Sequence, residues 1–331
     1  MKTALGGAFG SLALGFALSP SPGVWLIRRV FAGDTKRTTA ALVKHTPTGV
    51  VTIANEPYLD NDADAVLDVY VPAAGAAQPT LLPTIVWIHG GAWISGDKHD
   101  VVPYFQLIAA RGFAVVALNF SLGPGKRYPT ALHQVNDALA YLQRHAARFR
   151  IDVNNLVLAG DSSGAQLATQ AAAVYTNPAY ARRFTLTPAL TPAQLKGVAL
   201  YCGIFDLSGL TGVPGLFGWG TRVALWAYTG RRADDRNQAL VEMSTVNFVT
   251  SDFPPTFISG GNADPLTDVQ SKPFAARLAE LGVPLTTRFF AADREPQLGH
   301  EYQFKLDVSD GGAALDDLLA FINARVGRTE R

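Results

Sequence analysis

The sequence predicts an α/β protein built on a mostly parallel sheet of about eight strands flanked by helices, and three observations carry that reading. From about residue 48 onward, short β-branched runs alternate with helix-length stretches, which is the rhythm of βαβ units. Three runs, Thr84 to Ile88, Phe113 to Leu118 and Leu156 to Ala159, are nearly continuous in apolar residues, as strands buried on both faces require. The chain has 331 residues, of which 48% are hydrophobic, enough to fill a sizeable core.

Residues 1–45 read as an N-terminal helical segment that could contribute to a cap. After Lys2 an apolar stretch runs from Ala4 to Leu18, diluted by four glycines and shorter than the roughly 18 residues a bilayer span needs, so no integral span is expected. A single charge before the stretch resembles a secretory leader, but Pro20 disrupts the natural cleavage position after Ala17-Leu18-Ser19. A packed helix and a cytoplasmic location are favoured over export. After the Ser-Pro-Ser-Pro break the helix continues through Val24, Trp25, Leu26 and Ile27 and is expected to end at Arg28 and Arg29.

Residues 46–331 read as the main domain. Val50 to Ile53 and Val66 to Val71 suggest an antiparallel opening to the sheet. The three buried strands follow, separated by helices near 99–111 and 130–147, and then come Val198 to Tyr201, Thr256 to Ile258 and Leu285 to Phe290. The stretch at about 205–250 breaks the rhythm with Phe205, Leu207, Phe217, Trp219, Trp226 and Tyr228 among many glycines, and reads as a cap insertion; a smaller interruption lies near 176–195.

Composition removes several functions. With 28 Lys plus Arg against 27 Asp plus Glu, the net charge of +1 offers no field for a nucleic acid. Cys202 is the sole cysteine, no Cys/His cluster has zinc spacing, and Phe304 stands where a second histidine would complete a zinc motif begun by His300-Glu301. Gly123-Pro124-Gly125-Lys126 lacks phosphate-loop spacing and no G-x-G-x-x-G opens a helix, so neither metal nor nucleotide cofactor is expected.

Open sheets of this kind hold their chemistry at the carboxyl ends of the strands. After Leu156 to Ala159 comes Gly160-Asp161-Ser162-Ser163-Gly164, a G-x-S-x-G turn leading into a helix, where small residues let strand and helix approach while Ser162 projects as a nucleophile. After Thr84 to Ile88 comes His89-Gly90-Gly91-Ala92-Trp93, whose glycines allow backbone amides to converge; Gly91, Ala92 and Ser163 are the expected oxyanion donors, and His89 is expected to shape the loop. Asp264 follows the strand at Thr256 and is favoured over Asp268 as the acid, although Asp before Pro also starts helices. His300 follows the last strand and is the sole histidine beyond residue 145. A loop histidine by itself is more often solvated than basic, but its place after Ser162 and Asp264 completes the order Ser, Asp, His. His45, His99, His133 and His145 read as surface or packing residues.

Over about residues 48–325 these motifs resemble the α/β-hydrolase fold, and within it the carboxylesterases related to hormone-sensitive lipase and the bacterial feruloyl-esterase-like group. The resemblance implies Ser162 as nucleophile, His300 as base and Asp264 as the acid that orients it. Ala92 and Trp93 depart from the H-G-G-G form and also resemble kynurenine formamidases. The expected activity is hydrolysis of small short- to medium-chain acyl esters, with Trp93 and Trp219 against the substrate. Rates are expected to rise through an apparent pKa near roughly 6.5 to 7. A formamidase or other amidase, and less readily a non-catalytic binding protein, are the alternatives; a serine peptidase is disfavoured because no repeat domain is present, and a homo-oligomer is compatible with the chain.

Overall fold

The structure, a computed structural model, describes residues 18–73, 80–234 and 236–328, so the reading of residues 1–17 lies outside the described residues. Eight strands form one sheet: β1 (Val50–Pro57), β2 (Val66–Pro72), β3 (Leu82–Ile88), β4 (Ala114–Leu118), β5 (Ile151–Asp161), β6 (Leu195–Tyr201), β7 (Thr256–Ser259) and β8 (Leu285–Arg288). Their order is β1-β2-β4-β3-β5-β6-β7-β8. The first two pairings, β1 with β2 and β2 with β4, are antiparallel, and every later one is parallel.

Alternation along each strand divides the core in two. On one face Val86 and Ile88 of β3 and Leu158 of β5 meet α3 (Thr130–Arg144) and α4 (Ser163–Thr176) through Val135, Leu139, Leu167 and Ala171. On the other, Ile85, Trp87 and Val157 meet α2 (Val102–Ala110) and α7 (Ser309–Val326) through Tyr104, Phe105, Leu318 and Ile322. Coverage on both sides explains why the central runs show no polar alternation. The insertion holds α5 (Gly215–Thr229) and a short helix at Gln238–Met243. α6 (Lys272–Glu280) links β7 to β8.

One boundary differs from expectation. α1 runs from Ser21 to Leu42, so Arg28 and Arg29 lie in its middle instead of ending it. The Arg28 guanidinium donates to the carbonyls of Ile94 (2.6 Å) and Gly123 (3.0 Å), and Thr39 donates to the Asp100 carbonyl (2.7 Å). A basic pair used for tertiary contact is not a stop signal, and no proline interrupts the following turns. α1 thereby crosses the sheet's carboxyl edge and packs on α5, where Gly23 meets Val223. Trp25, Leu26 and Val30 remain exposed. Among the described residues no helix is long and apolar enough to cross a membrane.

A buried ion pair ties the antiparallel edge to the loop after β3. Lys98 and Asp68 are each 1% exposed, with Nζ 2.7 Å from Oδ1; Asn55 Oδ1 accepts a second hydrogen from Nζ at 2.9 Å. Removing one partner leaves the other charge buried. Lys98→Met should therefore lower the unfolding free energy by about 3 kcal/mol in urea titration. A loss under about 1 kcal/mol would show that the pair does not hold the loop.

Candidate active site

The end of β5, the residue Ser162 and the start of α4 form a turn that ordinary residues could not make. Ser162 has φ 51° and ψ −121°, a conformation costing roughly 1–3 kcal/mol for a side chain of this kind. Two glycines permit it: a Cβ at Gly160 would lie 2.6 Å from the Gly164 backbone, and one at Gly164 would lie 2.0 Å from the Ile88 carbonyl oxygen. The Ser162 amide donates to the Tyr201 carbonyl at 2.9 Å, which fixes the turn to β6. Ser162 is 8% exposed, and no hydrogen bond to its Oγ occurs among the described residues.

Asp161, beside the serine, joins this turn to the loop after β3. Its Oδ2 accepts from the Gly90 amide at 2.8 Å and its Oδ1 from the Trp87 indole at 2.7 Å. Burial, followed by the Glu301 charge, pushes its carboxyl well above the usual range, while the two hydrogen bonds act the other way. Beyond Gly90 the loop turns through three positive φ values, 106° at Gly91, 54° at Ala92 and 58° at Trp93. The Gly91 and Ala92 amides have no acceptor among the described residues. The Ser163 amide, in the first residue of α4, has no partner within its own helix. Gly91 and Ala92 line one cavity with Ser162. His89 is buried, its Nδ1 2.7 Å from the Gly90 carbonyl and its ring stacked on Phe120 at 4.5 Å; burial lowers its pKa. It holds the loop, as expected.

The structure brings His300 and Asp264 together, with Nδ1 3.1 Å from Oδ2. Asp264 Oδ1 accepts from the Leu266 amide at 2.9 Å, so the carboxylate is held from both sides. With Nδ1 donating to Asp264, Nε2 is left to accept a proton. The His300 side chain is 37% exposed, and both it and Ser162 line the same cavities. Asp268 is 75% exposed and pairs with Lys272, which leaves Asp264 as the acid partner.

Two neighbours of His300 had no motif to announce them. Cys202, buried at the end of β6, places its sulfur within 4.8 Å of the Asp264 and His300 ligand atoms. Burial pushes its thiol up to about 11. Glu301 lies with Oε1 3.9 Å from His300 Nε2. The rule that strand ends carry the site would have found Cys202. Burial disfavours the imidazolium, but the Asp264 bond and the Glu301 carboxylate favour it, and the His300 pKa is raised above 6.5.

Ser162 sits between two unlike cavities. One, of about 710 Å³, is walled by apolar side chains that include Leu26 and Phe31 of α1 and Leu216 and Trp219 of α5. Trp93 lines it as well, but its indole is buried, donates to Gln166 Oε1 at 3.0 Å and stacks on Tyr228 at 5.6 Å. Trp93 thus forms fixed wall, whereas Trp219 comes from the insertion. The second cavity, about 290 Å³, is the more polar of the two and lies between α1, the loop after β3 and the His300 loop.

A profile of the BD-FAE family matches residues 67–278. An acetyl esterase of Salmonella paratyphi B is 32% identical over 201 residues, which cover 58% of this chain and 58% of that protein, so the match spans less than two thirds of that relative's length. Esterase B of Lactobacillus rhamnosis superposes with a TM-score of 0.80 at 23% identity, covering 92% of this chain and 96% of that one. An esterase of Pyrobaculum calidifontis superposes at 0.67 with 21% identity, covering 92% and 94%. The likeness to these structures establishes the α/β-hydrolase fold.

Two outcomes follow from this geometry. NMR titration of the His300 imidazole nitrogens should give a midpoint above 6.5 that falls in Glu301→Gln; a midpoint at or below 6.5, unmoved by that change, would contradict the assigned field. Asp161→Asn keeps the size but sets an amide hydrogen against the Gly90 or Trp87 donor. Turnover of a p-nitrophenyl ester should fall about a hundredfold, because the loop carrying Gly91 and Ala92 loses its anchor; unchanged kcat would refute that coupling.

Proposed function

Because the chain belongs to the BD-FAE family of α/β hydrolases, we propose that it is a serine carboxylesterase acting on short- to medium-chain acyl esters through an acyl-enzyme on Ser162. The observation that carries this is the pairing of the Asp264–His300 hydrogen bond with an unpartnered Ser162 hydroxyl at a strained turn, both opening on shared cavities.

In this reading His300 Nε2 takes the Ser162 proton as Oγ attacks the ester carbonyl. Asp264 holds the tautomer and stabilises the imidazolium. The carbonyl oxygen becomes an alkoxide, stabilised by the amides of Gly91, Ala92 and Ser163. The ester C–O bond then breaks, the alcohol leaves with the proton from His300, and the acyl group stays on Ser162. Water, deprotonated by His300, releases the acid. No cofactor takes part in any of these steps. A raised His300 pKa places the rising limb of the pH–rate profile on the alkaline side of the 6.5 to 7 expected from an ordinary histidine, since the neutral ring is the active form.

The acyl chain is assigned to the apolar cavity, with α1 and the insertion at about 205–250 as its cap. A formyl group would leave most of about 710 Å³ empty, which favours esters of longer acids over formyl amides.

A p-nitrophenyl ester series tests the reading. Turnover should peak at short to medium chains and fall at least about a thousandfold in Ser162→Ala; equal rates in the mutant would overturn it. Trp219→Ala should weaken the longer esters more than the acetate, and an unchanged chain-length preference would remove Trp219 from the acyl wall.

A further inference from the structure

With the acyl chain placed in the apolar cavity, the second, more polar cavity beside Ser162 is left for another part of the substrate, and its walls differ in chemistry. Its lining includes two aromatic residues, Phe31 and the largely buried Phe304, and two acidic ones, Asp100 and Glu301. Of the other charged groups lining it, Asp161 is bonded to Trp87 and Gly90, Asp34 pairs with Arg37, His300 is bonded to Asp264, and Lys305 is an exposed cation. Asp100 accepts one hydrogen bond, from the Asp97 amide at 2.9 Å, and forms no ion pair among the described residues, the charge of the exposed His99 acting on it from a distance. Burial, then the Asp97 and Glu301 charges, push its carboxyl up to about 6, so at neutral pH it carries its charge against a local excess of negative groups.

The cavity is tied to the chemistry by a separate observation: the Ser162 side chain, nine-tenths buried and without a hydrogen-bond partner, opens into it together with His300. An ester with its acyl chain in the apolar cavity and its carbonyl at Ser162 has this second space left for the alcohol half. Aromatic faces combined with carboxylates attract an organic ammonium, through the ring quadrupole and through charge.

We propose that this cavity holds the leaving group and favours alcohols that carry an ammonium, so that esters of amino alcohols are preferred over neutral esters of the same shape. The inference rests on the esterase reading above. The step is the same acyl transfer: the C–O bond to the amino alcohol breaks, Ser162 keeps the acyl group, and the departing oxygen takes its proton from His300. The ammonium takes no part in bond making. It orients the alcohol and places its charge between Asp100 and Glu301.

Acetylcholine and 3,3-dimethylbutyl acetate, which differ in one quaternary nitrogen against one carbon, make the matched pair, with p-nitrophenyl acetate as control. At low ionic strength kcat/KM should favour acetylcholine by roughly tenfold, and the ratio should shrink as salt screens the field. In Glu301→Gln and Asp100→Asn the ratio should fall toward one, read within each variant so that any general loss of rate cancels. A wild-type ratio of one or below, with p-nitrophenyl acetate still cleaved, would overturn the inference and leave the esterase reading standing. Cleavage of p-nitrophenyl acetate with neither matched ester turned over would overturn it as well. Failure on all three esters would instead remove the esterase reading on which it rests.

Discussion

The site depends on how closely the turn at Ser162 can be drawn against the strands beside it. A positive φ at a serine is unfavourable, and it persists because Gly160 and Gly164 let the backbone of β5 and α4 come within distances no Cβ would allow. The same closeness brings the Asp161 carboxylate under the loop after β3. There it accepts from Gly90 and Trp87, so the turn at Ser162 and the loop carrying Gly91 and Ala92 are tied together by one residue. The strain is local, and the two apolar layers on either side of the sheet hold it in place.

Electrostatics then separates roles among four carboxylates in a small volume. Asp264 is held by a backbone amide and by His300, and serves the ring. Asp161 is turned inward and serves the loop. Asp100 keeps the Asp97 amide as its hydrogen-bond partner and Glu301 lies 3.9 Å from His300 Nε2, and both line the second cavity, so their field falls on whatever enters it and on His300 itself. On the other side of Ser162 the cavity is nearly all apolar, built from α1, α5 and Trp93. In the proposed reaction Ser162 stands between an apolar space and one lined in part by carboxylates, which suits a substrate whose two halves differ in the same way.

Much of this was legible in the residues because the sheet makes sequence position into spatial position. Each buried run ended at the carboxyl edge, so Gly91, Ala92, Ser162, Ser163, Asp264 and His300 could be placed by what preceded them, and the Asp264–His300 contact has the expected partners. The span of α1 was not legible, since Arg28 and Arg29 resemble a helix end until their tertiary partners are known. Trp93, expected against the substrate, lines the apolar cavity; what was not legible is that its indole is engaged by Gln166 and Tyr228, a contact made across more than 70 residues that no local pattern encodes. Asp161 was passed over for the same reason, whereas Cys202 at the end of β6 and Glu301 beside His300 lay within reach of the strand-end rule. The roles of Trp93 and Asp161 come from contacts between distant segments, whereas motifs report spacing along the chain.

The central claim is that Ser162 is an activated nucleophile, and covalent labelling tests it most directly. Incubation with a fluorophosphonate, followed by intact-mass and peptide mass spectrometry, should show one adduct per chain, located on the peptide containing Ser162. The rate of labelling should drop sharply in His300→Ala, which removes the base and leaves the serine in place. An adduct on another residue, or no adduct under conditions where the protein is folded, would contradict the account.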